Sequence, residues 1–208
     1  MFTKLVAETR NEIIHKTVSK HKNEMQKFYL VLVLVLTFSC TQTDNRITEF
    51  EKVLGERQTN ALNLLVSDFE INLTKIYPNL TTEKGYRQYL NDMISDTISY
   101  YENYSFMSRK TITEYIESGL WNEVYETNYY FDINSKDSIE TISVNNVGKY
   151  MQALYVVKDS DNLINKYWEK REAAGMMQNE LVVNGILSSN PDFNDYFHKR
   201  IVVLEFSF

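Results

Sequence analysis

The histidine content limits the chemistry that the chain could perform. Beyond residue 24 the sequence has one histidine, His198, within the segment YFHKR at positions 196–200. A hydrolytic triad needs a nucleophile, a base and an orienting acid, and the chain has no G-x-S-x-G nucleophile motif. Imidazole metal ligands usually come in pairs, so a histidine-based metal site is not indicated. We therefore expect His198 to be a surface side chain between two cations.

Two pairs of carboxylates have a spacing that brings side chains together on a helix. Glu114 and Glu117 form one pair, and Glu123 and Glu126 form the other. Glycosidase chemistry requires carboxyl groups about 5 to 9 Å apart across a cleft, rather than neighbours on one helical turn. We expect these glutamates to lie on solvated helix faces, and a hydrolase with carboxylate acid and base is the alternative function.

The segment Asp159–Asn162 begins like a calcium-binding loop. The sixth position of such a loop is glycine and the twelfth is glutamate, but Ile164 and Lys170 stand there. The segment therefore predicts a helix start, with Ser160 or Asp161 as the capping residue.

Aromatic residues are densest between positions 100 and 131. Tyrosine and tryptophan combine a broad apolar face with a polar tip, which suits surfaces that bind protein or stack on sugar rings. We take Trp121, Tyr125, Tyr129 and Tyr130 as the candidate binding surface for a protein or glycan partner. The alternative is a tyrosine-rich core with its rim. The other members of the cluster are Tyr100, Tyr101, Tyr104, Phe106, Tyr115 and Phe131.

Charge is unevenly distributed along the chain. Residues 1–39 contain six Lys or Arg and three Glu, a net charge of +3. Because the whole chain carries −6, a charge of −9 falls on residues 40–208. An acidic domain repels phosphate backbones, so a nucleic-acid partner is not expected.

The chain has a single cysteine, Cys40. It can form neither a disulfide within the chain nor a Cys-based zinc site, and we predict no metal and no cofactor. Cys40 follows the apolar run FYLVLVLVLTF at positions 28–38. This run is shorter than the roughly 20 residues of a membrane-spanning helix and has the length of a signal-peptide core. A plain secretory signal, or a core strand with a chance cysteine, is the alternative.

Residues 25–46 resemble the signal and lipobox of bacterial lipoproteins. Thr37 and Phe38 stand where the usual lipobox has Leu and a small residue, which is similar to the relaxed lipoboxes of Bacteroidota. The resemblance implies a diacylglyceryl group on the Cys40 thiol and cleavage before it. It thus predicts a lipoprotein anchored in the cell envelope, in the outer membrane, with the lipid bilayer as a partner.

The segment before this signal is unusually long. Signal peptides run about 15–30 residues, whereas cleavage before Cys40 would remove 39. Residues 25–39 alone would make an ordinary signal that starts at Met25. We expect residues 1–24 to be a misassigned extension, and a long, positively charged n-region is the alternative.

Apolar residues spaced three and four apart predict a series of helices. A first helix should end at Pro78, and Thr81 or Thr82 should cap a second. Thr111 with Glu114 has the spacing of a capping box for a third.

Later helices have their own start and stop residues. Gly119 should end or bend the third helix, and Gly175 should end a later one. Asn190-Pro191-Asp192 predicts the start of the last helix. Residues 201–208 could equally form a strand, and residues 128–145 predict a small β-hairpin.

The sequence as a whole predicts a mainly α fold. We expect one bundle-like domain of about six to seven helices over residues 56–208, with a small hairpin near 128–145. Residues 40–55 should carry the lipid and form a tether. The predicted core comprises Leu65, Phe69, Leu90, Ile94, Ile116, Leu154, Trp168, Phe197 and Ile201.

These patterns favour a non-catalytic binding or accessory module of the cell envelope. Its contact surface would be the aromatic one, and its anchor would be the lipid on Cys40. A hydrolase acting on envelope or extracellular material is the alternative.

Overall fold

A computed structural model describes residues 44–95, 107–133 and 136–207. Within these ranges, no helix has the length and apolar character needed to cross a membrane. The proposed extension 1–24, the signal peptide 25–39 and Cys40 lie outside the described residues. So do four members of the aromatic cluster: Tyr100, Tyr101, Tyr104 and Phe106.

The prediction of a mainly α domain with a small hairpin is confirmed. The described residues form nine α-helices, more than the six to seven expected, and one antiparallel pair of strands. In chain order these elements are α1 (Asn45–Leu54), α2 (Glu56–Ile76), α3 (Thr82–Ile94), α4 (Arg109–Glu117), α5 (Leu120–Val124), β1 (Tyr125–Asp132), β2 (Asp137–Val144), α6 (Lys149–Val157), α7 (Asn162–Ala174), α8 (Asn179–Ser188) and α9 (Tyr196–Phe206). A short 3-10 turn, Lys158–Ser160, joins α6 to α7.

The long helix α2 is the centre of the domain. Its stripe of Leu62, Leu65, Phe69 and Leu73 is spaced three and four apart and is fully buried, as a core-facing helix requires. The helix packs against α1, α3, α4, α5 and α9. The other helices are therefore arranged around a single apolar core.

The segment expected to be a tether is instead part of the fold. Residues 45–54 form α1, and Asp44 caps this helix by accepting a hydrogen bond from the Arg46 backbone N–H. Phe50 and Leu54 are completely buried, with Phe50 in edge-to-face contact with Phe197. The prediction failed because two anchors four residues apart give too short a pattern to stand out from a polar segment.

Two predicted helix starts are confirmed and two are wrong. Thr81 accepts a hydrogen bond from the Lys84 N–H, and Asp161 accepts from two N–H groups of α7. The third helix is capped by Ser108 rather than by Thr111. The last helix begins at Tyr196 rather than near residue 191 and continues to Phe206 without a strand.

Seven of the nine predicted core residues pack in or against the core, and two do not. Ile94 is 40% exposed and Ile116 is 59% exposed, while Trp168 is half-buried at the rim. Both isoleucines lie close to the last residue of a short helix, where few neighbours are available to cover them. Gly119, with φ +80°, separates α4 from α5 as expected.

Candidate functional site

The hairpin β1–β2 follows α5 without a connecting loop, because β1 begins at Tyr125, the residue after the end of α5. Tyr125 at its base is buried and donates a hydrogen bond from its hydroxyl to the Leu204 carbonyl, 3.1 Å away. Opposite it, Val144 is also buried. Trp121 on α5 packs against the Tyr125 ring at a centroid distance of 4.8 Å. Trp121, Tyr125 and Val144 form the root of the hairpin, and their contacts fix its direction relative to the helices.

The exit from the hairpin is equally constrained. The Asn145 N–H donates to the Val124 carbonyl at 3.0 Å, and the Asn145 side-chain amide donates to the Asn122 carbonyl at 2.7 Å. A Cβ on Gly148 would lie 2.2 Å from the Glu123 carbonyl oxygen, so only glycine permits this close approach. The two strands are thereby held side by side where they leave the domain.

One face of the hairpin is apolar. Directly opposed residues of an antiparallel pair share a face, and every second residue along a strand lies on it. This apolar face carries Thr127 opposite Ile142, Tyr129 opposite Glu140, and Phe131. Tyr129 is 67% exposed, Phe131 is 65% exposed and Ile142 is 48% exposed. The apolar face therefore continues outward from the core residues Tyr125 and Val144.

The opposite face of the hairpin is polar. The Asn128 side-chain amide donates to the Ser143 hydroxyl at 2.7 Å, and that hydroxyl donates to the Glu126 carboxylate at 3.1 Å. Further out, this polar face carries the less polar pair Tyr130 opposite Ile139, and then Asp132 opposite Asp137. The hairpin is thus amphipathic, although neither face is covered by helices beyond its root.

The charge of the hairpin is strongly one-sided. Residues 125–144 contain one cation, Lys136, and four carboxylates. Three carboxylates belong to the polar face and one, Glu140, lies on the apolar face beside Tyr129. The four are Glu126, Asp132, Asp137 and Glu140.

The structure divides the four residues of the candidate binding surface. Trp121 is half-buried and Tyr125 is buried, so both serve the root of the hairpin. Tyr129 and Tyr130 are exposed, but they lie on opposite faces. Phe131 and Ile142 extend the surface on the Tyr129 side. The alternation at positions 125, 127, 129 and 131 identifies this face only when the strand register is known.

Beneath the hairpin root lies a buried ion pair. The Nε of Arg171 lies 3.1 Å from Oε1 of Glu205, with both side chains less than a tenth exposed. Tyr167 donates a hydrogen bond to the same carboxylate, and the guanidinium lies 5.8 Å from the centre of the Tyr125 ring. Burial raises the pKa of Glu205, an effect that Arg171 and Tyr167 partly offset. This group is enclosed and joins α7 to α9 below the hairpin.

The expectation for His198 is wrong, because the imidazole is buried. Its Nδ1 lies 3.0 Å from both the backbone N and the carbonyl O of Asp192, and its Nε2 lies 3.1 Å from Oδ1 of Asp161. Burial acts to raise the pKa of Asp161, but hydrogen bonds from Ile164 and His198 overcome it and lower that pKa. The flanking cation Lys199 turns away and pairs with Glu70. His198 therefore ties the turn before α9 to the start of α7.

The carboxylate pairs lie only partly on helices. Glu114 and Glu117 are on α4 and Glu123 is on α5, whereas Glu126 is on β1, so the expected helix face is wrong for Glu126. Glu123 accepts the Lys149 backbone N–H at 2.7 Å, and Glu126 is hydrogen-bonded within the polar face. Glu117 is exposed on α4. Within the described ranges, no cluster of three or more His, Cys, Asp or Glu side chains is placed to hold a metal ion.

A groove between α7 and α8 offers little space for a ligand. Its apolar floor includes Leu163, Val182 and Ile186, and Lys166 and Lys170 lie at its edge. The cavity volume is about 20 Å³, which is room for about one water molecule. The hairpin is the candidate site because it carries exposed aromatic and aliphatic side chains, Tyr129, Phe131 and Ile142, on one face.

No protein-family model matches the chain, and no match is found among curated proteins or among solved structures.

Proposed function

We propose that this protein is a non-catalytic binding module of the bacterial cell envelope, anchored by lipid on Cys40 and using the hairpin as its contact surface. The observation that carries the proposal is the exposure of Tyr129, Phe131 and Ile142 on one face of a ribbon with a fixed root. Exposed aromatic side chains grouped on one surface are typical anchors of protein interfaces.

The anchoring half of the proposal is supported by the resemblance of residues 25–46 to a lipoprotein signal. Because Asp44 caps α1, three residues, 41–43, separate Cys40 from the folded domain. Such a short connection would keep the domain close to the membrane surface. Metabolic labelling with radioactive palmitate tests this half: the wild type should be labelled and Cys40→Ser should not. Equal labelling of both would contradict it.

The binding half can be tested by photo-crosslinking in living cells. p-Benzoylphenylalanine placed at Tyr129 or Phe131 should give a discrete crosslinked product after irradiation. The matched control is Tyr155 on α6, another exposed tyrosine at 58% exposure, which should not give the same product. p-Benzoylphenylalanine at these exposed positions leaves the buried residues of the root unchanged.

The pattern of products decides the outcome. A product from positions 129 and 131 that is absent from position 155 supports the hairpin as the contact surface. Equal products from all three positions would indicate collision rather than a site. If neither hairpin position gives a product while the protein is folded and labelled with lipid, the hairpin is not the binding surface.

A further inference from the structure

We infer that the hairpin binds an extended, basic segment of a partner protein, which adds as a third strand beside β1. The inference rests on the proposed function and names the chemistry of its partner. The incoming strand alternates apolar and cationic side chains, so that its two faces match those of the hairpin.

The two faces of the ribbon supply the complementarity. Apolar side chains of an added strand would continue the apolar face beside Tyr129 and Phe131. Its alternate side chains would point to the polar face, where three carboxylates lie. The hairpin has a net charge of −3 over residues 125–144, which favours Lys or Arg on the added strand. A basic side chain reaching the aromatic rings could also gain a cation–π contact.

Strand addition follows from the architecture of the ribbon. In the described part of the chain the sheet has two strands, so each has an outer edge. Two-stranded hairpins are marginally stable in water, whereas three strands with an apolar face are much more stable. Every residue of β1 from Glu126 to Phe131 is exposed, and among the described strands β1 pairs with β2 alone. Strand addition to such an edge is a common mode of peptide recognition.

A protective role for the charges is the competing explanation. Charged residues on edge strands prevent unwanted pairing between proteins. Protection of this kind works with either sign of charge, whereas here four of the five charges are carboxylates. The single sign would repel a second copy of the hairpin and attract a basic strand.

Binding can be measured with defined peptides and the lipid-free domain, residues 44–208. The probe is a fluorescein-labelled nonapeptide of alternating Lys and Val. A Lys-Pro repeat of equal charge is its control, because proline cannot donate the hydrogen bonds of a strand ladder. Fluorescence anisotropy at low salt should show saturable binding of the Lys-Val peptide and at least roughly tenfold weaker binding of the Lys-Pro peptide. Hydrogen exchange should show new protection of β1 amides in the complex.

Variants of the two faces separate their contributions. Phe131→Thr keeps strand propensity. It should weaken binding of the Lys-Val peptide by about fivefold, because a cross-strand contact is lost. The double variant E126Q/D132N should weaken binding of this peptide by a similar factor and should reduce the salt dependence of the affinity. Glu180→Gln on α8 removes an exposed charge from another element, and it should leave both affinity and salt dependence unchanged.

The outcomes distinguish the inference from the proposed function. Equal binding of the Lys-Val and Lys-Pro peptides, or equal effects of E126Q/D132N and Glu180→Gln, would overturn strand addition. So would binding of the neutral oligosaccharide cellohexaose with no response to the peptide. If crosslinks form at Tyr129 in cells but the Lys-Val peptide does not bind, the proposed binding function stands and the inference of a basic third strand is wrong. If the crosslinks are also missing, the proposed function is wrong as well.

Discussion

Tyr125 and Tyr129 lie on the same face of β1, yet Tyr125 is 7% exposed and Tyr129 is 67% exposed. Four residues along one strand therefore take the chain from the hydrophobic core to a surface available for contact. The two tyrosines should respond very differently to substitution.

Tyr125→Ala should lower the free energy of unfolding by about 3–5 kcal/mol, because it empties a buried ring site and removes the hydrogen bond to Leu204. Tyr129→Thr should change it by less than about 1 kcal/mol, because the ring is exposed and threonine suits a strand. Urea denaturation of both variants measures the difference. Similar losses from the two would show that the hairpin packs more closely than described.

Phe50→Ala should lower the free energy of unfolding by about 3–5 kcal/mol, because Phe50 is fully buried on α1. Glu49→Ala, at the adjacent exposed position on the same helix, provides the control and should change it by less than about 0.5 kcal/mol. Thermal and urea unfolding distinguish this structural role from the tether that the sequence predicts. If Phe50→Ala were as stable as the control, α1 would not be part of the cooperative domain.

Arg171→Met should destabilise the domain by about 3–5 kcal/mol, because it leaves the Glu205 carboxylate buried without its cation. The double variant R171M/E205Q should recover much of this loss, since an uncharged amide can still accept the hydrogen bond from Tyr167. A double-mutant cycle in urea measures the coupling. Additive losses would mean that the two charges do not interact.

Asp161 should make the domain sensitive to acid. Its pKa in the folded state is lowered from the ordinary value of 3.8, so its stabilising contribution is present above that value and is lost as pH falls through the folded-state pKa. Asp161→Asn keeps a helix-capping side chain but does not titrate. The difference in unfolding free energy between wild type and Asp161→Asn should therefore shrink as the pH is lowered from about 5 to below 3.8. A constant difference over this range would contradict the assignment.

The repeated spacing of apolar residues was sufficient to predict the mainly α fold class and the core positions Leu65 and Phe69 of α2. The hairpin was predicted from β-prone residues over 128–145. Local chemistry predicted the caps at Thr81 and Asp161, because a cap depends on residues within one turn. The burial of His198 could not be predicted in this way. It depends on Asp161, 37 positions away, and such pairing follows from tertiary packing rather than from neighbouring charges.

The candidate site was predicted in part. Tyr129 and Tyr130 are exposed as a binding surface requires, whereas Trp121 and Tyr125 support the root. Aromatic composition does not distinguish these roles, because the same ring can fill a core or cover a surface. The distinction depends on the register of β1 with β2 and on where the ribbon leaves the helices.

The constrained root of the hairpin has an evolutionary consequence. Gly148 and Tyr125 tolerate little change, because one admits a close backbone approach and the other fills the core. Beyond them, exposed positions such as Tyr129 and Phe131 can accept new side chains at little cost to folding. If the hairpin is a contact surface as proposed, mutation could redirect it to a different partner while the scaffold stays the same, and its recognition could diversify faster than its architecture.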